Sequence, residues 1–349
     1  MNSIFLALAL LIAAVFTAAE PAEPRASNTA AAKTYKLDAG PFKVGTAELT
    51  LRDESRGKDL PVLVRFPQRE HADAARSPLV VFSHGMGGSS DAFSNLSAHW
   101  ASHGYVVIHP THDDSVKLRR ANGDNVTAQS FLAAGTRQVD PVGRVSDITL
   151  ILDNFDEIES RIAALRDSTG AGRIDRERVC MAGHSAGAFT TQMIAGVKMG
   201  GRFAARRDAR FADPRVRCFM PISPQGVGKA GMNESSWEAV KLPMLAVTGS
   251  EDVTPVSNET PESRRHCFDF SAPLGNKHLL WIEGAKHSSF GGKPGDPPEL
   301  RAAVDLSMKC ATTAFLDAYL RADADAKAWL DAPESVAGLT VGVASLRSK

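Results

Sequence analysis

Along the chain, continuous apolar runs alternate with stretches in which apolar positions recur every three or four residues. The runs are SPLVVFSHG (77–85), YVVIHP (105–110), RVCMAGHS (178–185), VRCFMPIS (216–223), LPMLAVTGS (242–250) and HLLWIEGA (278–285). Each has the length and punctuation of a strand buried on both faces. Between them, 91–103 is helical in composition, with Ser89, Ser90 and Asp91 as candidate caps. Val145, Ile148, Leu152, Phe155, Ile158, Ile162 and Leu165 form one apolar stripe with charged residues between, which predicts an amphipathic helix of about six turns. A last helix is predicted from about Leu300 to Leu320, with Val304, Met308, Ala311, Phe315 and Tyr319 on one side. Before the first buried run, VGTAELTL (44–51) and LPVLVRF (60–66) flank the charged turn RDESRGKD and predict an antiparallel hairpin.

Strands alternating with helices imply an α/β fold: a mostly parallel central sheet, an antiparallel N-terminal hairpin, and helices on both faces. Neither a repeat nor a second core interrupts the pattern, so one domain is expected over 40–335, followed by a C-terminal tail, 336–349. The stretch from Lys117 to Gln138 reads as a mobile loop. Gly226–Val240, with Met232 and Trp237, reads as a wall of whatever pocket the domain holds.

The N-terminus adds a compartment. Ile4–Phe16 is wholly apolar and is followed by Thr17, Ala18 and Ala19, which predicts a secretory signal over 1–19 and a flexible leader over 20–39. The run is shorter than the roughly 18–20 residues of a membrane span, so the expectation is a secreted or periplasmic protein without a stable anchor. Four cysteines without a C-x-x-C pair exclude a disulfide scaffold or zinc ribbon. An oxidising compartment would permit one bridge, for which Cys267 and Cys310 are the candidates, while Cys180 and Cys218 are expected to pack in the sheet as buried thiols. Forty basic residues balance forty acidic ones, which argues against nucleic acid as a partner.

The chemistry concentrates at Gly183-His184-Ser185-Ala186-Gly187, which joins a buried strand to a helix-like segment. In such a turn small neighbours let the backbone fold tightly enough to expose the serine hydroxyl. A serine needs a base, and the base needs a carboxylate to hold its tautomer. His287 follows the last buried strand and Asp252 the one before it, giving the order Ser, Asp, His, with Glu251 the alternative acid. An oxyanion would need two backbone N–H donors, for which Ala186 and Met86, the latter within Ser83-His84-Gly85-Met86-Gly87-Gly88, are the candidates. This chemistry calls for neither cofactor nor metal. His109-Pro110-Thr111-His112-Asp113-Asp114 is nonetheless dense in potential ligands, and a cation there is the competing reading.

The stretch LVVFSHGMGGSSDAFSNLSAHWASHGYVVIHPTHDDS, together with GHSAGAF, ISPQG and GSEDVTP, resembles the α/β-hydrolase superfamily. Within it, the chain is similar to the platelet-activating-factor acetylhydrolase-like and dienelactone-hydrolase-like branch over most of residues 40–320. The resemblance implies a lipase-like serine esterase acting on a small-molecule or lipid-like ester, with Ser185, Asp252 and His287 as triad and the N–H groups of Met86 and Ala186 as oxyanion hole. Cleavage of a polyester or an amide, or a non-catalytic binding role on the same fold, are the alternatives.

Overall fold

Ser77–Ser83 is buried at every position, and the sheet extends to both sides of it. A computed structural model describes residues 34–69, 75–165, 173–204, 211–292 and 295–349. The predicted signal segment 1–19 and the leader as far as residue 33 lie outside them. The described residues form one compact unit.

Among the described residues the strands are β1 Lys43–Asp53, β2 Lys58–Gln68, β3 Ser77–Ser83, β4 Val106–Pro110, β5 Ile174–His184, β6 Val216–Ile222, β7 Met244–Glu251, β8 Lys277–Lys286 and β9 Ala344–Ser348. The helices are α1 Ser94–Ser102, α2 Val116–Ala121, α3 Ala128–Ala134, α4 Pro141–Asp153, α5 Phe155–Ala163, α6 Ala186–Ile194, α7 Gly201–Ala204, α8 His266–Asp269, α9 Pro298–Leu320, α10 Ala324–Asp331 and α11 Glu334–Ala337. The strands pair in the order β1-β2-β4-β3-β5-β6-β7-β8-β9. From β4 through β8 the sheet is parallel, and the β1–β2 hairpin and β9 close it with antiparallel pairs. This is the α/β-hydrolase fold.

Successive residues of a strand face opposite sides of the sheet, and here both sides are covered. Leu79, Val81, Met181, Phe219 and Ala246 pack under α4, α5 and α6 through Ile148, Ile151, Phe155, Ile158 and Met193. Val80, Phe82, Cys180, Met220 and Val247 pack under α1 and α9 through Leu96, Trp100, Met308, Ala311 and Phe315. That two-sided burial explains why the central strands read as unbroken apolar runs.

Several expectations are corrected. The six-turn helix is two helices: Asn154, at φ −114° and ψ 32°, ends α4 and precedes α5. Its side-chain amide donates to the Leu150 carbonyl at 2.7 Å, the local competition that disfavours asparagine inside helices. The stripe ran on across the break because both helices face one core. The expected mobile loop 117–138 contains α2 and α3, the latter opened by a capping box of Thr127 and Ser130. These turns bury too little apolar surface to leave a periodic signal. The expected tail supplies β9, whose Ala344 and Leu346 point into the core.

All four cysteines are free and buried. Cys267 belongs to the core on the α4–α6 side, whereas α9, which carries Cys310, covers the other side, so the sheet separates the two. Burial pushes the Cys267 thiol up to about 12 and that of Cys310 to about 11. Cys180 and Cys218 are register partners on β5 and β6.

The end of the expected flexible leader is held in place. The buried Asp317 carboxylate of α9 accepts hydrogen bonds from Tyr35 at 2.9 Å, Lys36 at 2.6 Å, Tyr105 at 2.6 Å and Arg321 at 2.7 Å. Replacing Asp317 with Ala leaves these donors without their common acceptor and is expected to cost about 3 kcal/mol or more. The check is a lowered urea midpoint at unchanged slope; a loss under about 1 kcal/mol would show the cluster to be peripheral.

Candidate active site

Ser185 joins β5 to α6 with φ 56° and ψ −114°, a conformation that L-residues rarely adopt. The turn is held by three bonds. The Ser185 N–H donates to the Ile222 carbonyl at 2.9 Å, and its carbonyl accepts from Phe189 N–H at 3.1 Å and from the Gln225 side chain at 3.0 Å. The flanking glycines are required by close approach: a Cβ on Gly187 would collide with the carbonyl of Ser83, and one on Gly183 would lie 2.5 Å from the carbonyl of Gly187. β3, β5 and α6 touch through their backbones here, which is why the motif carries no side chain at either position.

His287 follows β8, and its Nε2 stands 2.9 Å from Ser185 Oγ. Its Nδ1 lies 2.7 Å from Asp252 Oδ1. A carboxylate only accepts, so the Nδ1 proton points at Asp252 and the Nε2 lone pair faces the serine hydroxyl. Asp252 is fully buried just past β7, whereas Glu251 is exposed; the geometry brings the former and not the latter to His287. Thr248 donates to Asp252 Oδ2 at 2.8 Å. Burial opposes the charge on Asp252, but the bond from His287 and the nearby Arg264 guanidinium outweigh it and hold the carboxyl below its ordinary range.

Two neighbours escape the sequence reading. Arg264 puts Nε 2.9 Å from Asp252 Oδ1 and donates to the carbonyls of Asp252, at 2.7 Å, and Ser223, at 2.8 Å. It therefore ties the acid loop to the end of β6. His184, the variable residue of the G-x-S-x-G turn, bonds the His287 carbonyl through Nε2 at 3.0 Å, its ring 4.7 Å from that of His287. Burial, reinforced by His287, pushes His184 down to about 3, so it is a neutral donor at ordinary pH. No local pattern marks Arg264; His184 was visible only as a spacer.

The loop after β3 makes the opposite wall. Gly88 N–H donates to the Gly85 carbonyl at 3.0 Å, closing a turn with Met86 and Gly87 at its centre, and Gly87 has φ 73°. Positive φ at the third position is the glycine signature of such a turn. A Cβ on Gly87 would also strike the ring of Phe131, which α3 lays across the loop. Ala186 is the first residue of α6, where the amides have no acceptor within the helix. Both candidate donor residues, Met86 and Ala186, line the same cleft as Ser185.

That cleft measures about 1140 Å³, and Met86, Phe93, Phe131, Leu132, Phe189 and Phe203 contribute much of its wall. Of the segment expected to wall it, Lys229, Ala230 and Gly231 do so, but Met232 and Trp237 turn into the core, where the Trp237 indole donates to Gln192 at 2.9 Å. Among the described residues no helix is long and apolar enough to cross a membrane.

Residues 59–120 match the family model of platelet-activating factor acetylhydrolase, isoform II. The chain thus has the α/β-hydrolase fold and resembles this family over that stretch, and the match supports a carboxylic-ester hydrolase. The matched stretch runs from β2 through the Met86 loop to α2 and ends before Ser185.

It also contains the residues considered for a metal, and the structure gives them other partners. His109 bonds Ser97 at 2.7 Å, His112 bonds Asp147 at 2.8 Å and Ser83 at 2.9 Å, and Asp114 forms a two-pronged pair with Arg144 at 2.9 and 2.8 Å. Burial would raise the Asp114 pKa, but the charge and hydrogen bonds of Arg144 outweigh it and hold it at about 2, against 3.8 for an ordinary Asp. A depressed carboxylate stabilises the fold above its unfolded pKa, and that contribution is lost as pH falls through the folded value. Stability on the order of 2 kcal/mol should therefore disappear between about pH 4 and pH 2. Urea midpoints measured across this window should fall less steeply for Asp114→Asn than for the parent; equal slopes would contradict the assignment.

Proposed function

We propose that the protein is a serine carboxylic-ester hydrolase that acts on apolar, lipid-like esters through an acyl-enzyme. The observation that carries this reading is the continuous chain from Ser185 Oγ through His287 to Asp252, at 2.9 and 2.7 Å, on the floor of an apolar cleft. As the Ser185 Oγ attacks the ester carbonyl carbon, its proton passes to His287 Nε2 and the carbonyl π electrons move onto oxygen. Asp252 stabilises the resulting imidazolium without taking its proton. The oxyanion is received by the N–H groups of Met86 and Ala186; one such donor is commonly worth about 10²–10³ in rate. Collapse of the intermediate breaks the bond to the alcohol oxygen, which leaves with the proton from His287. Water then gives a proton to His287 and adds to the acyl carbon, and a second collapse restores the Ser185 hydroxyl and frees the acid.

The substrate class rests on the cleft. Its volume of about 1140 Å³ exceeds what an acetyl group and a small alcohol would fill, and Phe93, Phe131, Phe189 and Phe203 give it apolar wall against which an acyl chain can pack. Export is part of the same proposal, supported by the apolar segment 4–16 and the small residues behind it.

With p-nitrophenyl acetate, butyrate and octanoate, kcat/KM is expected to rise by about tenfold or more from the shortest to the longest ester, since each buried methylene contributes up to roughly 0.8 kcal/mol. A fall along the series would instead assign a short-acyl acetylhydrolase. Ser185→Ala should remove turnover of all three while leaving the melting temperature near that of the parent, and retained turnover would overturn the mechanism.

A further inference from the structure

We propose that the buried Arg144–Asp114 ion pair is the positioning device of the oxyanion hole, holding the peptide that carries the Met86 N–H. This rests on the esterase reading above. The Met86 N–H and the Gly85 carbonyl belong to one planar peptide, and no peptide among the described residues is cis. In a trans peptide the two groups point in opposite directions, so whatever fixes the carbonyl aims the amide. The Gly85 carbonyl is fixed by three donors: Gly88 N–H at 3.0 Å, His84 Nδ1 at 2.6 Å and Arg144 Nη2 at 3.4 Å. The His84 tautomer follows from its other nitrogen, which accepts the His112 N–H at 3.0 Å and so leaves the proton on Nδ1.

Arg144 and Asp114 hold the peptides to either side as well. Arg144 Nη1 donates to the His84 carbonyl at 2.6 Å and to Ser83 Oγ at 3.2 Å. Asp114 Oδ2, besides binding Arg144, accepts the Gly87 N–H at 2.9 Å. The cation therefore takes the carbonyls before Met86 and the anion takes the amide after it. Both side chains are only 2% exposed, so these bonds are largely shielded from water. Were either charge lost, the loop, with glycine at 85, 87 and 88, would be free to rotate a peptide and turn a carbonyl toward the site. The pair comes from α4 and from the segment after β4, neither of which contributes to the triad.

The test uses Arg144→Met, Asp114→Asn and the double variant in the full chain, with Ser185→Ala alongside. The double variant leaves no buried charge unpaired, the usual cause of misfolding when one partner is removed. Each is assayed with p-nitrophenyl butyrate and with butylboronic acid, whose boron accepts the serine oxygen to form a tetrahedral adduct while the serine proton passes to His287. The inference expects kcat to fall about 100-fold with KM within about twofold, boronic-acid inhibition to weaken in parallel with kcat, and Arg144→Lys to recover part of the loss. A merely structural clamp would lower the melting temperature and leave kcat and boronic-acid affinity at parental values, and that result, in any one folded variant, overturns the inference. Turnover surviving Ser185→Ala would overturn the esterase reading and this one with it. Turnover lost in Ser185→Ala but unchanged in the ion-pair variants would overturn this inference alone.

Discussion

A serine held at φ 56° between a strand and a helix costs on the order of 1–3 kcal/mol of backbone strain, and the rest of the site exists because the surrounding structure imposes it. The strain persists because β5 and α6 are pressed against β3 with no side chain between them: Gly187 lies on the Ser83 carbonyl and Gly183 on the carbonyl of Gly187. The Ser185 amide is meanwhile fixed on Ile222 at the end of β6. Relaxing the turn would require separating strands whose side chains are fully buried on both faces, a far larger loss than the strain itself.

The same sheet sets the remaining positions. β3, β5, β7 and β8 run in one direction, so the loops that follow them emerge along one edge. They bring the Met86 turn, Ser185, Asp252 and His287 together from points as far apart in sequence as residues 86 and 287. Around this frame lies a shell of buried polar groups whose work is orientation. Arg264 and Thr248 hold the acid, His184 holds the His287 loop, and Arg144 with Asp114 holds the Met86 turn. Arg264, His184, Arg144 and Asp114 also satisfy backbone groups that would otherwise be buried without partners, at a cost comparable to a lost hydrogen bond.

How much of this could be read from residues alone follows from the range of each interaction. The central strands were legible because two-sided burial writes an unbroken apolar run. The positions of Ser185, Asp252 and His287 were legible because each lies just past such a run, beside glycine or acidic turn residues. Helix ends were less so: the Asp140-Pro141 pair that opens α4 and the Thr127–Ser130 box that opens α3 are short polar signals easily absorbed into a loop. The two orienting arginines left no trace, since the reason for an arginine at 144 or 264 lies about 30 to 60 residues away in the Met86 turn and Asp114, or about a dozen to 40 away in Asp252 and Ser223. The Cys267–Cys310 pairing failed for the same cause, because nothing local tells which face of the sheet a helix covers.

The central claim is that Ser185 is an exposed and activated nucleophile. It is tested most directly by incubating the protein with a fluorophosphonate, measuring its intact mass, and mapping the modified peptide. The account predicts one phosphonyl adduct per chain, located on Ser185, displaced by no other serine and absent from His287→Ala. An unmodified protein, or an adduct elsewhere, would contradict it.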